Sequence, residues 1–271
     1  MQYSVTYTVL FAAGVCLVCS LVVATTAVTL KDRQIENALL DKQRKVLIVA
    51  GLMGEKERLL EEEIQARFEA SVEPVIIDLK TGAVNAEATR SAASFDQQKA
   101  LLDPARSFAA PENRAGVSRL PHQALVYLVK EGGMIEKYIL PIEGKGLWST
   151  LYGFIALASD TNRIEGITFH EHAETPGLGG EVDNPNWKAK WPGRLAFGPP
   201  DQPETWGKPR IRVIKGLAGP VESAPYSVDG LAGATITSNG VSYLLDLWLG
   251  ENGFGPYLEK QRQAGAGAVR E

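Results

Sequence analysis

Residues 124–141 read ALVYLVKEGGMIEKYILP, and residues 151–169 read LYGFIALASDTNRIEGITF. In each stretch two short apolar runs flank a polar turn: Ala124–Lys130 and Ile135–Pro141 around Glu131-Gly132-Gly133, and Leu151–Ala158 and Ile164–Phe169 around residues 159–162. Short turn-forming segments between runs rich in β-branched and aromatic residues are typical of β-hairpins. The two stretches therefore predict two hairpins in one antiparallel sheet.

Further elements are predicted on both sides of these hairpins. Glu73–Leu79 and Arg210–Lys215 have strand-like composition, and residues 31–70 carry apolar residues at helical spacing, with a break near Leu52. Residues 238–250 (SNGVSYLLDLWLG) predict a helix that Ser238 or Asn239 caps and Gly250 ends. Because strands and helices are segregated along the chain, an α+β fold with an antiparallel sheet and flanking helices is expected.

Composition excludes several classes of protein. The chain has 271 residues with 45% hydrophobic and 22% charged residues, a net charge of −4 and only 2 cysteines. These values are ordinary for a folded protein and exclude a chain that is disordered throughout. Two cysteines cannot form a disulfide framework, and the slight negative charge makes nucleic acid an unexpected partner.

The N-terminus predicts a single membrane span. No charged side chain occurs from Met1 to Leu30, and residues 9–30 are almost continuously apolar or small. These 22 residues would form a helix of about 33 Å, enough to cross a hydrocarbon core of about 30 Å. A cleaved signal peptide is the alternative, but the stretch lacks a basic n-region and a clean A-x-A site. Cys16 and Cys19 lie inside the span and are expected to be small packing residues.

Four segments follow from these patterns. They are an anchor at 1–30, a helical and strand segment at 31–120, a principal domain at 121–260, and a disordered tail at 261–271. The basic residues just after the span, such as Lys31 and Arg33, would by the positive-inside rule place the soluble part in the cytoplasm. That rule is weaker where a large domain is exported, so the orientation stays open on charge alone.

Two segments carry candidate functional residues. In an extended backbone His170, His172 and Glu174 would face one side and could bind a metal, although a polar strand end is the simpler interpretation. Residues 229–238 (DGLAGATITS) combine small residues and hydroxyls just before a predicted helix, whose N-terminus favours a phosphate. An ordinary loop with an N-cap is the alternative there.

Three motifs together indicate a family. Asp229–Thr235 (DGLAGAT) matches a motif in which FMN is joined through its phosphate to the final threonine, and ETPGLG at 174–179 and GKGLWSTLYGF at 144–154 match as well. With the N-terminal span, the chain resembles the NqrC family, the C-type subunits of the sodium-translocating NADH:quinone reductases, over nearly its whole length. The related G-type subunits of ion-translocating electron-transport complexes share two of the motifs, and GLWSTLYG favours NqrC. The chain departs from the family pattern at Ala232, where Ser or Thr is usual.

The resemblance implies a soluble FMN-binding domain on the periplasmic side of the bacterial inner membrane, loaded by a separate flavin transferase. It would pass electrons between redox centres of neighbouring subunits in a complex that pumps Na+, with no metal of its own. The implied roles are attachment at Thr235, a phosphate cradle, contact with the isoalloxazine ring, and transferase recognition at Asp229. The cradle comprises Gly233, Ala234, Thr237 and Ser238, and the ring residues are Glu174, Thr175, Leu178 and Trp148.

Three hydroxyls compete for the attachment role. Ser238 would be committed as the N-cap, and Thr237 is expected to bond the phosphate, which leaves Thr235 behind two small residues. Trp148 could equally belong to the core. Two other functions stay open on the sequence: a periplasmic metal-dependent hydrolase using His170, His172 and Glu174, and an anchored assembly subunit without a cofactor.

Overall fold

The computed structural model describes residues 4–202 and 206–268. The elements are α1 (Val5–Val49), α2 (Glu61–Ser71), β1 (Val72–Asp78), α3 (Ala86–Thr89), α4 (Gln97–Leu102), β2 (Ser107–Ala109), β3 (Arg119–Pro121), β4 (Gln123–Glu131), β5 (Met134–Lys145), β6 (Thr150–Ala158), β7 (Ile164–Glu171), α5 (Pro185–Lys188), β8 (Arg212–Val213), β9 (Ser227–Val228), α6 (Thr235–Leu249) and α7 (Gly255–Ala268). Short 3₁₀ turns occupy Ala92–Ser94 and Gly179–Asp183.

Helix α1 is long and apolar enough to cross a membrane. Its 45 residues correspond to about 68 Å, and its most apolar 18-residue window has a mean hydropathy of 2.4. The chain divides into two compact units, Met1–Lys42 and Gln43–Glu271. The boundary predicted after residue 30 therefore lies inside a continuous helix, because the residues that follow the span keep the helical spacing up to Val49.

The centre of the second unit is a five-stranded antiparallel sheet with the order β1-β4-β5-β6-β7. Strands β4 and β5 pair across the turn at Gly132 and Gly133, which both have positive φ, and β6 pairs with β7. Both predicted hairpins and the strand near residues 73–79 are confirmed. The predicted strand at 210–215 is much shorter, since only Arg212 and Val213 pair, in parallel, with β9.

Helix α6 packs closely on β5. Gly144 of β5 faces Leu244, and a Cβ at Gly240 of α6 would overlap the carbonyl oxygen of Lys145. The indole Nε1 of Trp248 donates to the carbonyl oxygen of Glu143 at 2.8 Å. These contacts fix the position of α6 along β5, and thereby the place where α6 begins.

The opposite face of the sheet is covered by the end of α1 and by α2. Val46 and Leu47 are fully buried, and Gly166 of β7 leaves room for the backbone of Val49. Phe68 of α2 makes an edge-to-face contact with Tyr127 of β4 at 5.8 Å. The sheet is therefore buried on both faces, as its near-continuous apolar strands require.

The predicted disorder of residues 261–271 is wrong as far as Ala268, where α7 ends; residues 269–271 lie outside the described part. Tyr257 and Leu258 anchor α7 in the core, and the Arg262 guanidinium lies 5.1 Å from the ring centroids of both Phe197 and Trp206. Alanine is the best helix former, so the AGAGA segment can continue a helix that is already anchored.

Gly240→Ala should destabilise the domain, because the added methyl group would push α6 away from β5. We expect a cost of about 2–3 kcal/mol and a melting temperature lower by about 5–10 °C in detergent. Gly207→Ala is the matched control, since nothing lies within 4 Å of its Cβ position. Equal melting temperatures for the two variants would contradict this packing.

Candidate functional site

A buried carboxylate organises the candidate site. Glu174 follows β7 and is 5% exposed. Its Oε1 accepts the backbone N–H groups of Trp148 (2.8 Å) and Ser149 (3.1 Å), and its Oε2 accepts the N–H of Leu147 (3.2 Å) and the Thr237 hydroxyl (2.6 Å). One side chain thus connects the end of β7, the loop between β5 and β6, and the first turn of α6.

These four donors keep Glu174 charged. Burial raises the pKa of Glu174, but the hydrogen bonds from Thr237 and from the three backbone N–H groups outweigh burial and lower the pKa overall. The stability that these bonds contribute is therefore present above the ordinary carboxyl pKa and is lost as the pH falls through the lowered value.

Two glycines make room for this carboxylate. A Cβ at Gly179 would lie 2.5 Å from Glu174 Oε2 and 2.7 Å from Thr237 Oγ1, and a Cβ at Gly146 would lie 2.6 Å from Glu174 Oε1. Residues 175–178, which lie between Glu174 and Gly179, form a tight exposed turn. In this turn the carbonyl of Thr175 accepts the N–H groups of Leu178 (3.1 Å) and Gly180 (2.9 Å). The glycine-rich segment is therefore packed around Glu174 and presents Thr175 and Leu178 outward.

The segment 229–235 contains two glycines with separate functions. A Cβ at Gly230 would overlap the carbonyl oxygen of Ile214, so this glycine allows the segment to lie directly on residues 214–216. Gly233 has φ +70 and lies against Leu178, whose Cδ2 would be 2.9 Å from an added Cβ. The two predicted site segments, 174–179 and 229–235, therefore meet at Gly233.

Asp229, predicted to serve transferase recognition, is 7% exposed and pairs with Lys190. It also accepts the backbone N–H of Ala218 at 2.8 Å. Burial raises the pKa of Asp229, but the bonds from Lys190 and Ala218 and the charge of Arg194 lower it overall. In the folded chain this carboxylate holds the loop around residue 218 next to the segment that leads to Thr235.

The predicted N-cap of α6 is wrong by four or five residues. The helix begins at Thr235 after Ala234, which provides no side-chain cap, so neither Ser238 nor Asn239 is the N-cap. The Ala234 N–H donates to the Leu231 carbonyl at 3.1 Å, and this turn leads directly into the helix at Thr235. Ser238 lies one turn inside, where its buried hydroxyl accepts the N–H of Leu231 at 3.0 Å.

Thr235 is the exposed member of the three candidate hydroxyls. Thr237 is fully buried and bonded to Glu174, and Ser238 is 4% exposed and bonded to Leu231. The Thr235 side chain is exposed and lines a cavity of about 380 Å³. Within residues 4–202 and 206–268, no hydrogen bond engages the Thr235 hydroxyl.

Several exposed apolar side chains belong to the segments that form the candidate site. Trp148 is 71% exposed and does not belong to the core, and its contact with the ring stays a prediction. Four other large apolar side chains of these segments are also exposed: Leu147, Leu178, Leu217 and Ile236. Leu217 lines the cavity beside Thr235, and Leu178 lies against Gly233, which lines it too. Exposed apolar side chains in segments that meet at one site are typical of a surface that binds a ligand or a partner.

The predicted metal trio is not assembled. Strand β7 ends at Glu171, so Glu174 leaves the strand and turns toward Thr237. The Nδ1 of His172 accepts the Glu174 N–H at 3.3 Å, and the ring of His170 lies 5.2 Å from that of Phe154. Among the described residues no group of three His, Cys, Asp or Glu side chains could hold a metal. The alternative of a metal-dependent hydrolase has no site in this part of the chain.

Sequence reasoning missed Lys215 and Leu217, which line the cavity beside Thr235. Both lie about 20 residues before Thr235. Lys215 ends the segment KPRIRVIK (residues 208–215) and Leu217 follows it, and the alternation of basic and apolar residues in this segment indicated only a strand. No local pattern signals that this segment packs against Gly230.

Glu174→Gln should loosen the loop at residues 147–149 at neutral pH. An amide keeps one acceptor oxygen, and its NH₂ group faces donors that then lack a partner, which costs about 1–3 kcal/mol. We expect about tenfold faster amide hydrogen exchange in that loop. Glu171→Gln, three residues earlier at the exposed strand end, is the control. Unchanged exchange in the Glu174 variant would contradict the proposed link.

Comparison with known proteins agrees with this geometry. A family model described as an FMN-binding domain matches residues 146–250, a range that contains Glu174, Gly233 and Thr235. The NqrC subunit of the Na(+)-translocating NADH-quinone reductase from Yersinia pestis is 47% identical over 263 residues, 96% of this chain and 94% of that protein. The corresponding subunit from Pseudomonas aeruginosa is 45% identical over 268 residues, 98% of this chain and 99% of that protein.

A solved structure agrees as well. The crystal structure of NqrC from Shewanella oneidensis superimposes with a TM-score of 0.71 at 33% identity, covering 82% of this chain and 96% of that one. The family resemblance carried by the three motifs is thereby confirmed. The chain belongs to the NqrC family of subunits of the Na+-translocating NADH-quinone reductases, and it contains an FMN-binding domain.

Proposed function

We propose that this chain carries FMN covalently, joined through its phosphate to the Thr235 hydroxyl. In this role it passes electrons between redox centres of neighbouring subunits in a Na+-translocating NADH-quinone reductase. A separate flavin transferase forms the phosphodiester from an activated flavin nucleotide: as the bond from the Thr235 oxygen to phosphorus forms, the pyrophosphate bond of the donor breaks, and the released nucleoside monophosphate and the hydroxyl proton leave. The other subunits of the complex and this transferase are its partners.

The exposure of Thr235 is the observation that carries this proposal. A transferase has to reach the oxygen that it modifies, and the hydroxyls of Thr237 and Ser238 are buried and hydrogen-bonded. Thr235 is exposed and is the first residue of α6. The amides of the first helical turn lack intrahelical partners, and they favour a phosphate at this end.

The residues around Thr235 fit an FMN group. Gly230 and Gly233 line the cavity without adding side chains to it. Leu178 and Trp148 offer exposed apolar surface for a flat ring. Bound FMN supplies the redox chemistry, and this chain positions it and excludes water from one face. Thr237 and Glu174 hold the first turn of α6 and the adjoining loop in place rather than contacting the phosphate.

The soluble unit is proposed to lie on the periplasmic side of the bacterial inner membrane, anchored by the apolar part of α1. The bases that follow the span favour the opposite orientation when taken alone. The resemblance to the family implies the periplasmic side. The charge of the flanking bases is a weak objection to it, because the positive-inside rule has less force for a large exported domain.

Thr235→Ala should abolish covalent flavin when the chain is produced together with a flavin transferase. Thr235→Ser should keep it, because the serine retains the attachment oxygen at the same position. In-gel flavin fluorescence of the denatured chain and its intact mass measure the label. Thr237→Ala is the control and should stay labelled, since the Thr237 hydroxyl is committed to Glu174. A labelled Thr235→Ala chain, or FMN mapped to another residue, would refute the assignment.

Leu178→Asp should keep the covalent flavin but lower its midpoint potential. A carboxylate beside the ring opposes the arrival of electrons, by roughly 20–60 mV for an interaction of about 1–3 kcal/mol. Redox titration followed by absorbance measures the shift. Leu102→Asp, an equally non-polar position on α4 that is 84% exposed, should leave the potential unchanged. An unaltered potential in the Leu178 variant would remove this residue from the ring environment.

A further inference from the structure

We propose that Lys215 is the cation that pairs with the phosphodiester at Thr235. This inference rests on the proposed covalent attachment of FMN and assigns the counter-charge of the linkage, which no motif in the sequence indicated. It makes Lys215 a positioning residue for the flavin.

The backbone around Lys215 is fixed against the segment that carries Thr235. On one side, the N–H of Ile214 donates to the Val228 carbonyl at 2.9 Å, and on the other, the N–H of Gly230 donates to the Gly216 carbonyl at 2.9 Å. Gly230 has no side chain, which lets the two segments touch. Lys215 is therefore held between two anchored neighbours, beside the start of the segment that leads to Thr235.

Lys215 lines the same cavity as Thr235, and it is the one charged residue among the described residues that line it. Its side chain is exposed. No ion pair engages it within the described ranges 4–202 and 206–268. The lining of the cavity thus includes an exposed threonine, an exposed lysine and the beginning of a helix.

Several charged groups of the neighbouring segments are engaged elsewhere. Lys190 pairs with Asp229, and Arg194 donates to the carbonyls of Ala224 (2.6 Å) and Gly219 (2.7 Å). The Glu174 carboxylate is satisfied by its four donors. Among the described residues that line the cavity, Lys215 is thus the one cation that can balance an anion entering it.

A phosphodiester is such an anion. It keeps one negative charge at neutral pH, and a lysine ammonium is a compact charge with three donors on a flexible stem. The first-turn amides of α6 and Lys215 would contact the phosphate from two directions, because they belong to different segments that line one cavity. Two contacts from different directions limit the rotation of the tethered flavin, which a single ester bond does not.

The test uses the full chain produced together with a flavin transferase and purified in phosphate-free detergent. Lys215→Met should move the ³¹P resonance of the phosphodiester by more than its line width and should shorten the slow phase of the flavin fluorescence anisotropy decay. Lys215→Arg keeps the charge and should stay near the parent chain in both measurements. Lys208→Met is the control, since it removes an exposed charge from the same segment outside the cavity.

A ³¹P resonance and an anisotropy decay that are unchanged in Lys215→Met would overturn the proposal. If Lys215→Met is not loaded with FMN while Lys215→Arg and Lys208→Met are, the need for a charge at residue 215 is supported. Folded Lys215→Arg that fails to load beside a loaded Lys208→Met would contradict it. Peptide mapping of the parent chain separates the two proposals, because FMN on a residue other than Thr235 refutes the attachment site, whatever Lys215 does.

Discussion

The charge of Glu174 is the constraint on which the candidate site depends. A carboxylate this buried is tolerated only when its lone pairs are occupied, and here four donors from two other segments occupy them. Leu147, Trp148 and Ser149 belong to the loop between β5 and β6, and Thr237 belongs to α6. If either the loop or α6 moved away, the buried carboxylate would lose hydrogen bonds that keep its charge satisfied. The positions of the two segments are therefore coupled through Glu174.

Close contacts at glycine positions fix where the segments of the site lie relative to one another. Gly240 seats α6 on β5, Gly179 admits the Glu174 carboxylate, and Gly230 lets residues 214–216 lie on the segment before Thr235. At each of these positions a methyl group would approach another atom closely enough to force a movement. The beginning of α6 is therefore set by packing, even though Ala234 offers no capping side chain there.

The sequence was sufficient for the sheet because the information is local. Gly132 and Gly133 adopt the positive φ that a tight turn needs, and the flanking runs have strand composition. The start of α6 could not be read in the same way. Ser238 has the identity of an N-cap, but its hydroxyl accepts an N–H seven residues back, and the turn that decides the start involves Leu231 and Ala234.

The motifs supplied most of the candidate site residues, but the contacts of these residues depend on distant partners. Glu174 is bonded to residues 25 to 63 positions away, and Lys215 reaches the cavity through the contact of Ile214 with Gly230. No periodicity reports such pairs. The disorder predicted for the tail was wrong for the same reason, because Arg262 of α7 contacts the rings of Phe197 and Trp206, which are distant in sequence.

The exposure of the site is consistent with a tethered cofactor. Trp148 and Leu217 are 71% and 83% exposed, so a ligand resting on them would lose little of its own surface to the protein. Non-covalent binding has to offset the loss of translational and rotational freedom, which costs about 4–15 kcal/mol. A shallow contact buries little surface and contributes little binding free energy toward this cost. A covalent ester meets this cost once, when it is formed. With FMN attached as proposed, the residues around Thr235 would need only to orient the ring.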